Sequence, residues 1–427
     1  MNPLAPDAPV SLDGLLLSDD QKKALEEFNL FILDPVDSVF VLRGFAGCGK
    51  STLVRVILDQ LPRVIKAASL IQMPVAQYHI ELTATTNKAA EALAAITGNT
   101  VSTIHSKLGL RVITDFRTQE TELQISRKSI KVTNTILFID EASFIDRNLL
   151  EMIFKQTSDC KIIFIGDPAQ LSPVKSKNTP VFDAPFRGAA LREVMRQAAG
   201  NPIIDLATKF RETVETGKFF SFTPDGYNIQ HLPRDKFEEL MLAEFTRPDW
   251  RYHDSKVLAW TNKITIAYNH AISDRAKGSP ELQVGDYAIC NSYVHHESGG
   301  SIKTDSLVLI THLYPREIRF GVAGRYVQVN YSMDFFMPEA YKDHAAALKT
   351  ATAAGRYREA QEITNSWIDL RAAYACTINK SQGSTYDKVF IDLDDIRKCN
   401  SGEQIARMLY VAVSRARFHV YFTGDLV

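Results

Sequence analysis

Residues 42–52 read LRGFAGCGKST, and they join an apolar stretch to a helix-forming one. Gly44, Gly49, Lys50 and Ser51 fit G-x-x-x-x-G-K-[ST], the pattern of a phosphate-binding loop. Backbone N–H groups of such a turn, at a helix N-terminus, attract phosphate oxygens. We therefore expect a strand–loop–helix unit that binds ATP and Mg²⁺, with Lys50 on the β- and γ-phosphates and Ser51 on the metal. The alternative is an ordinary glycine-rich turn. The residues expected around the nucleotide are Gly44, Ala46, Gly47, Cys48, Gly49, Lys50, Ser51 and Thr52.

The composition is that of a soluble globular protein. The chain has 427 residues, of which 45% are hydrophobic and 23% charged, and its length favours about three domains. No apolar run approaches the ~20 residues of a membrane span. We expect no signal peptide, because no positive residues lead into an apolar stretch at the N-terminus. Five cysteines without a C-x-x-C pair favour a reducing cytoplasm. A net charge of −1 gives no support for static DNA binding, but it is compatible with a motor that releases its strand repeatedly.

Short apolar stretches alternate with helical patterns in the first third of the chain, which is typical of a parallel sheet covered by helices. The expected strands are 39–43, 80–85, 135–140 and 161–167, and the expected helices are 50–61 and 87–96, the second closed by Gly98. The pattern returns with expected strands at 256–260, 389–393 and 419–425 and expected helices at 261–276 and 401–417. Two α/β units are the economical interpretation.

Two segments interrupt these units. Residues 110–130 have the pattern of a β-hairpin around a polar turn, placed inside the first unit. Residues 281–335 contain short β-like pieces, and residues 336–370 then become helical and polar. We therefore expect a β-rich insert with a helical extension inside the second unit.

Two acids end one of the buried strands. Residues 136–144 read ILFIDEASF, which places Asp140 and Glu141 at the carboxyl edge of a parallel sheet, where ligands bind. Since they follow the phosphate loop by about 90 residues, we expect Asp140 to hold the metal, mostly through water. Glu141 would orient and deprotonate the attacking water. Acids that merely end a strand are the alternative.

A further strand ends in a polar tip at residues 162–174, which read IIFIGDPAQLSPV. Asp167 and Gln170 are expected at the same sheet edge. The Gln170 amide could hydrogen-bond a γ-phosphate or the attacking water without adding charge. The alternative is a proline-shaped loop whose polar groups satisfy its own backbone.

Several segments resemble, in their order, the motifs of the superfamily 1 helicases. These segments are 44–52, 136–143, 166–174, 377–385 and 409–417. More narrowly, 101–109 and 191–197 resemble the RecD-like branch and the Dda-like helicases of bacteriophages. The resemblance runs from about residue 15 to the C-terminus. It implies an α/β fold with two RecA-like P-loop motor domains, a strand-separating pin formed by the hairpin, and an SH3-like accessory insert.

The expected domain bounds follow from this resemblance. The first motor domain covers 1–185 and includes the pin at 110–131. The second motor domain covers 186–280 and 371–427. The SH3-like insert with its helical extension covers 281–370.

The resemblance also assigns nucleotide contacts. Gln21 corresponds to a glutamine that reads adenine, although Ser18 and Gln21 also form the pattern of a helix capping box. Arg196 and Arg415 correspond to arginines that the second motor domain brings to the γ-phosphate when the domains close. For Arg415, a cation that simply ends a helix is the alternative. The expected catalytic residues are Lys50, Asp140, Glu141, Gln170, Arg196 and Arg415.

Strand contacts are implied in the same way. The corresponding residues are Thr85, Thr103, His105, Lys380 and Gln382. Hydroxyl and N–H groups of this kind hold phosphates without reading sequence, although His105 could equally be a satisfied helix-start histidine. Asn379 stands where the family usually has histidine, so aromatic stacking is lost there. Phe116, near the hairpin turn, would stack on the first base pair, unless the hairpin is an ordinary one and Phe116 faces the core.

These expectations describe an ATP-dependent DNA helicase that moves along single-stranded DNA, from 5′ to 3′ by resemblance, and separates duplex DNA. The two alternatives are a translocase that displaces proteins with weak unwinding, and a regulatory P-loop ATPase without strand activity. The expected partners are single-stranded and forked DNA, with a single-strand-binding protein or a replisome component as further candidates. We expect a monomer in the cytoplasm, which for a phage protein is that of the host.

Overall fold

The computed structural model describes residues 17–114, 121–127, 129–171, 179–193, 200–296 and 299–426. The chain divides into two compact units. The first comprises Met1–Ile113 with Glu122–Asn201, and the second comprises Thr114–Thr121 with Pro202–Val427. The main boundary thus lies after residue 201 rather than after residue 185. The reason is that strand Arg187–Leu191 pairs with Val39–Gly44 and completes the first sheet.

The first unit contains a six-stranded sheet in which all neighbouring strands are parallel. Across the sheet the strands run in the order Ser102–Thr103, His79–Ala84, Val132–Asp140, Thr157–Gly166, Val39–Gly44 and Arg187–Leu191. Alternate residues of one strand enter different cores: Ile136 and Phe138 pack in one cluster, whereas Leu137 and Ile139 pack in the other. Both faces of the sheet are therefore buried, which explains why its strands are apolar almost throughout.

Helices cover this sheet. They span Asp19–Leu33, Lys50–Leu70, Asn87–Thr97, Ile104–Lys107, Arg147–Gln156 and Pro180–Asp183. Thr86 caps the start of Asn87–Thr97, and Gly98 closes it in the left-handed conformation, as predicted. The helix after the phosphate loop passes Pro62 and ends at Leu70 rather than at the predicted residue 61. It continues because Ala68 and its neighbours still pack on the core.

The predicted hairpin has both of its strands. Leu110–Thr114 and Thr121–Ile125 form a two-stranded sheet. Its turn, which includes Phe116, lies outside the described residues, so the position of that ring stays a prediction.

The second unit has its own parallel sheet. Its strands run in the order Ala375–Thr377, Ser255–Ala259, Tyr386–Asp392, Ala416–Thr423 and Ile229–His231. Its helices include Pro202–Thr216, Arg234–Phe245, Asn262–Lys277, Ile378–Ser381, Leu393–Ile396 and Gly402–Ser414. Phe237, Val257 and Phe390 are buried at the centre of its core. The later α/β pattern in the sequence therefore corresponds to a second parallel sheet.

An antiparallel sheet interrupts the second unit. Its strands run in the order Asp334–Pro338, Val322–Val329, Leu307–Arg319, Tyr287–Cys290 and Leu370–Ala372. Val294–His295 pairs with Ser301–Ile302 beside it, and helices Tyr341–Ala353 and Tyr357–Ser366 follow. We call residues 281–372 the β insert. Its last strand, Leu370–Ala372, pairs with Tyr287–Cys290 and returns the chain to the parallel sheet.

Two general expectations can be compared with the described residues. Over these ranges, no helix is both long enough and apolar enough to cross a bilayer. All five cysteines lie in the described part of the chain, and none of them forms a disulfide.

Candidate nucleotide-binding site and strand-contact residues

The Lys50 side chain folds back over the phosphate loop. Gly47 and Gly49 adopt φ values of 84° and 74°, which glycine reaches without steric cost. Lys50 is the first residue of its helix, and its Nζ donates to the carbonyl oxygens of Gly44 at 2.7 Å and Phe45 at 3.0 Å. A Cβ at Gly44 would lie 2.7 Å from Lys50 Cγ, so this glycine gives the lysine its path across the loop. The loop thus presents an ammonium group at a helix N-terminus.

Gln21 ties the first helix to this loop. The predicted capping box is present, because Ser18 Oγ accepts from Gln21 N while Gln21 Oε1 accepts from Ser18 N at 3.0 Å. The Gln21 side chain is buried, and Nε2 donates to the carbonyl oxygens of Cys48 and Gly49, both at 3.4 Å. The Cys48 thiol points into the core. The structure therefore shows the capping role of Gln21, while adenine recognition stays a prediction.

The two acids lie where the sequence places them, at the end of Val132–Asp140. Asp140 Oδ1 accepts from Glu141 N at 2.8 Å, and burial raises the pKa of the Asp140 carboxyl, whereas this hydrogen bond and nearby Lys50 lower it. Glu141 adopts φ 54°, a left-handed conformation that costs a residue with a Cβ roughly 1–2 kcal/mol. Strain of this kind persists where surrounding contacts hold it, as they do at functional sites. Sequence patterns gave no sign of it.

Thr85 lies beside these acids. Its Oγ1 donates to the Glu141 carbonyl oxygen at 3.0 Å, and its N–H donates to the Asp140 carbonyl oxygen at 3.1 Å. Thr85 was predicted to contact the DNA strand, yet in the structure its hydroxyl binds the backbone of the expected catalytic base.

Asp167 and Gln170 follow the neighbouring strand Thr157–Gly166. Both side chains are buried. Asp167 Oδ1 accepts from Ala169 N at 2.9 Å, and Gln170 N donates to the Asp167 carbonyl oxygen at 3.3 Å. These contacts agree with the alternative interpretation, in which polar groups order the loop itself, and the role of Gln170 toward a γ-phosphate stays a prediction.

Thr103 and His105 begin a short helix, Ile104–Lys107. Thr103 Oγ1 accepts from Ser106 N at 3.2 Å and so caps that helix. Burial lowers the pKa of His105, although Asp146 opposes the shift. A lowered pKa favours the neutral imidazole, which can still donate a hydrogen bond to a phosphate from one ring nitrogen.

In the second unit, Lys380 pairs with groups of the β insert. Its Nζ donates to Asn291 Oδ1 and forms a 2.9 Å ion pair with Asp305. Both partners are 75 or more residues away in the sequence, so no local pattern indicated them. Gln382, in the same segment, is buried. The predicted strand-contact segment is therefore anchored to the β insert.

Arg415 ends helix Gly402–Ser414 and is only 6% exposed. Its guanidinium donates to the carbonyl oxygens of Val411 and Ser384, both at 3.1 Å, and to Ser414 Oγ at 2.8 Å. Two of these acceptors are neutral carbonyls and the third is a hydroxyl. The positive charge is thus held in place by groups that do not neutralise it.

Arg196 lies outside the described residues. The residues that lead to it belong to the first unit, because the N–H groups of Arg192 and Glu193 donate to Asp20 Oδ2 at 2.9 and 3.1 Å. A domain boundary at residue 185 would instead place this segment in the second motor domain. The correction follows from strand Arg187–Leu191, which pairs with the first sheet.

The site also has oxygen donors of the kind that Mg²⁺ prefers. Within the described ranges, no group of three or more His, Cys, Asp or Glu side chains forms a metal-binding cluster. Asp140 is partly exposed, and its carboxyl, with its raised pKa, would nevertheless be stabilised in the charged form by a cation. One carboxylate and a hydroxyl such as that of Ser51 suit Mg²⁺, which is commonly held by few protein ligands together with substrate phosphates.

Comparisons with known proteins agree with this geometry. A model of the AAA domain matches residues 16–223, and a model of the UvrD-like helicase C-terminal domain matches residues 372–423. The first match contains the phosphate loop and the acids, and the second contains Lys380 and Arg415.

Two relatives are similar over nearly the whole chain. The ATP-dependent DNA helicase dda of Enterobacteria phage T4 is 24% identical, with 95% of this chain and 99% of that protein covered. The ATP-dependent RecD2 DNA helicase of Deinococcus radiodurans is 30% identical over 95% of this chain, which spans half of that protein. A solved structure of two coordinating Pif1 helicases at forked double-stranded DNA has a TM-score of 0.51 and 18% identity, covering 97% of this chain and 93% of that one. The predicted α/β fold class with two RecA-like domains is thereby confirmed.

Proposed function

We propose that this chain is a superfamily 1 helicase, an ATP-dependent DNA helicase that moves along single-stranded DNA from 5′ to 3′ and separates the duplex ahead of it. The observation that carries the proposal is the pairing of two kinds of site in one chain. One α/β unit holds Lys50, Asp140 and Glu141 around a phosphate loop. The other holds a buried guanidinium, Arg415, at the end of a helix.

In the first unit, each residue would have a distinct task. The loop N–H groups and Lys50 would bind the β- and γ-phosphates. Ser51 and Asp140 would hold Mg²⁺, which supplies charge neutralisation on the phosphates when it is bound. Glu141 would orient the attacking water and accept its proton. Gln21 would contact the adenine after its amide leaves the loop carbonyls.

In the second unit, Arg415 would reach the γ-phosphate when the two units close. Arginines supplied in this way stabilise transition-state charge only in the closed state. If the units close when ATP binds and open after hydrolysis, they would bind the DNA strand tightly in turn. Because separating a base pair costs about 1.4 kcal/mol on average, one ATP per base is energetically sufficient.

The DNA strand would be held by residues of both units. The proposed contacts are Thr103, His105, Lys380 and Gln382, with Phe116 at the pin. The resemblance also implies Thr85, but its hydroxyl is bound to the Glu141 carbonyl oxygen. Single-stranded and forked DNA are the proposed substrates, and a single-strand-binding protein or replisome component is a proposed partner. We propose that the protein acts as a monomer in the cytoplasm.

The experiment that tests this function is steady-state ATP hydrolysis with and without single-stranded DNA, followed by unwinding of duplexes with either a 5′ or a 3′ tail. We expect DNA to stimulate hydrolysis and only the 5′-tailed duplex to be separated. Hydrolysis indifferent to DNA would instead indicate a regulatory ATPase. Efficient displacement of streptavidin from an oligonucleotide that is poorly unwound would indicate a protein-displacing translocase.

Lys380→Ala gives a prediction about electrostatics. If Lys380 binds a strand phosphate, its removal lowers the slope of log affinity against log salt concentration by about 0.7. The measurement is fluorescence anisotropy of a labelled oligonucleotide between low and moderate salt. Lys398→Ala is the matched control, because Lys398 is exposed and pairs with Asp395 within its own segment. An unchanged slope, with a lower melting temperature, would show that Lys380 serves only to anchor the β insert.

A further inference from the structure

We propose that Thr85 is a positioning residue for Glu141 rather than a contact of the DNA strand, an inference that rests on the proposed function. Thr85 follows strand His79–Ala84, which pairs in parallel with Val132–Asp140 and places Ala84 opposite Asp140. One residue beyond this pair, the Thr85 hydroxyl reaches the Glu141 carbonyl oxygen at 3.0 Å. Thr85 is 9% exposed, and its hydroxyl is already engaged in this bond.

The Glu141 backbone is held on both sides. Its N–H donates to Asp140 Oδ1 at 2.8 Å, and its carbonyl oxygen accepts from Thr85 Oγ1 and from Phe144 N at 3.1 Å. A residue with a Cβ keeps a φ of 54° only when its backbone is held. If either adjoining peptide rotated, the Glu141 carboxylate would move with it. The bond from Phe144 is local to the turn, whereas the bond from Thr85 comes from a different strand. Thr85 therefore fixes the turn relative to the sheet.

The neighbouring threonines show that this task is specific to one position. Thr83 is fully buried, and its Oγ1 donates to the Phe138 carbonyl oxygen at 2.7 Å inside the sheet. Thr86 Oγ1 accepts from Ala89 N at 3.2 Å and caps the following helix. Among these three, Thr85 alone binds the residue expected to activate water. Thr86 caps the start of helix Asn87–Thr97 and directly follows Thr85. The bond from Thr85 to Glu141 therefore also connects that helix with the turn that contains Glu141.

The test compares Thr85→Val with Thr85→Ser in ATP hydrolysis titrated with single-stranded DNA. We expect Thr85→Val to lower the maximal rate about tenfold, because small displacements of a catalytic group cost up to ~100-fold. The DNA concentration that gives half of the maximal rate should stay within about twofold of the wild type, and Thr85→Ser should restore the rate to within about twofold, because it keeps the hydroxyl. Thr83→Val is the matched control and should retain the wild-type rate.

Three outcomes would overturn the inference. Thr85→Val could raise the half-saturating DNA concentration while keeping the maximal rate, which would make Thr85 a strand contact. It could also match Thr83→Val, or Thr85→Ser could fail to restore the rate. If Thr85→Val does not fold, as judged by thermal melting, Thr85→Ala removes the same hydroxyl without demanding space. Wild-type hydrolysis that ignores DNA would instead refute the proposed function.

Discussion

Replacing Lys50 by alanine is expected to lower the steady-state rate of ATP hydrolysis by about 10²–10³-fold, the loss found when one preorganised donor to transition-state charge is removed. The Lys50 ammonium already lies over the phosphate loop, within 2.7–3.0 Å of two of its carbonyl oxygens. Transfer of the ammonium from these carbonyls to the phosphates would place it where negative charge develops. The measurement is a coupled ATPase assay at saturating single-stranded DNA.

Lys22→Ala is the control for this prediction. Lys22 lies on helix Asp19–Leu33, next to Gln21, with 60% of its side chain exposed and an ion pair to Asp19. Its replacement should leave the rate unchanged. Hydrolysis that survives in Lys50→Ala would refute the assignment of the nucleotide site to this loop.

Arg415→Ala is expected to lower kcat by about 10³-fold, at the lower end of the effect of an arginine finger. The prediction follows from how the guanidinium is held: two backbone carbonyls and a hydroxyl fix its orientation without cancelling its charge. Arg415→Lys should also lose most of the rate, because an ammonium cannot reproduce the planar arrangement of donors. Binding of ADP should be retained, because the proposed contacts with ADP belong to the first unit.

Arg417→Ala provides a closely matched control. Arg417 lies two residues further on, is 51% exposed in its side chain and pairs with Asp387 at 3.2 Å. Its loss should leave kcat unchanged. Oligonucleotide binding by the Arg415 variants reports whether the second unit is folded. Equal rates for the Arg415 and Arg417 variants, with folding intact, would show that Arg415 is a helix-ending cation only.

Much of the fold could be predicted because the informative signals are local. Apolar strands that end in Gly44, Asp140 or Gly166 are buried on both faces, so periodicity and turn residues identify them without knowledge of their neighbours. Because these signals are local, they also led to a boundary between the units at residue 185, before a strand that belongs to the first sheet. Strand Arg187–Leu191 pairs with Val39–Gly44, almost 150 residues earlier, and nothing in its own five residues indicates that partner.

The candidate site was predictable in residue type but not in hydrogen bonding. The phosphate loop and the acids follow from motif spacing. By contrast, the bonds from Thr85 to Glu141, from Gln21 to the loop and from Lys380 to Asp305 join residues 27 to 75 positions apart. The left-handed conformation of Glu141 is equally invisible in sequence, because glutamate is not a residue that favours positive φ. Such contacts depend on the assembled sheet.

Arg415 is proposed to act on the triphosphate that would be bound at Lys50. Trapping of ADP with aluminium fluoride, which mimics a transferring phosphoryl group, measures this contribution without turnover. With DNA present, the wild type is expected to retain the trapped nucleotide through gel filtration, whereas Arg415→Ala binds ADP normally but releases it with or without fluoride. Equal retention by both proteins would show that Arg415 does not act on the bound nucleotide.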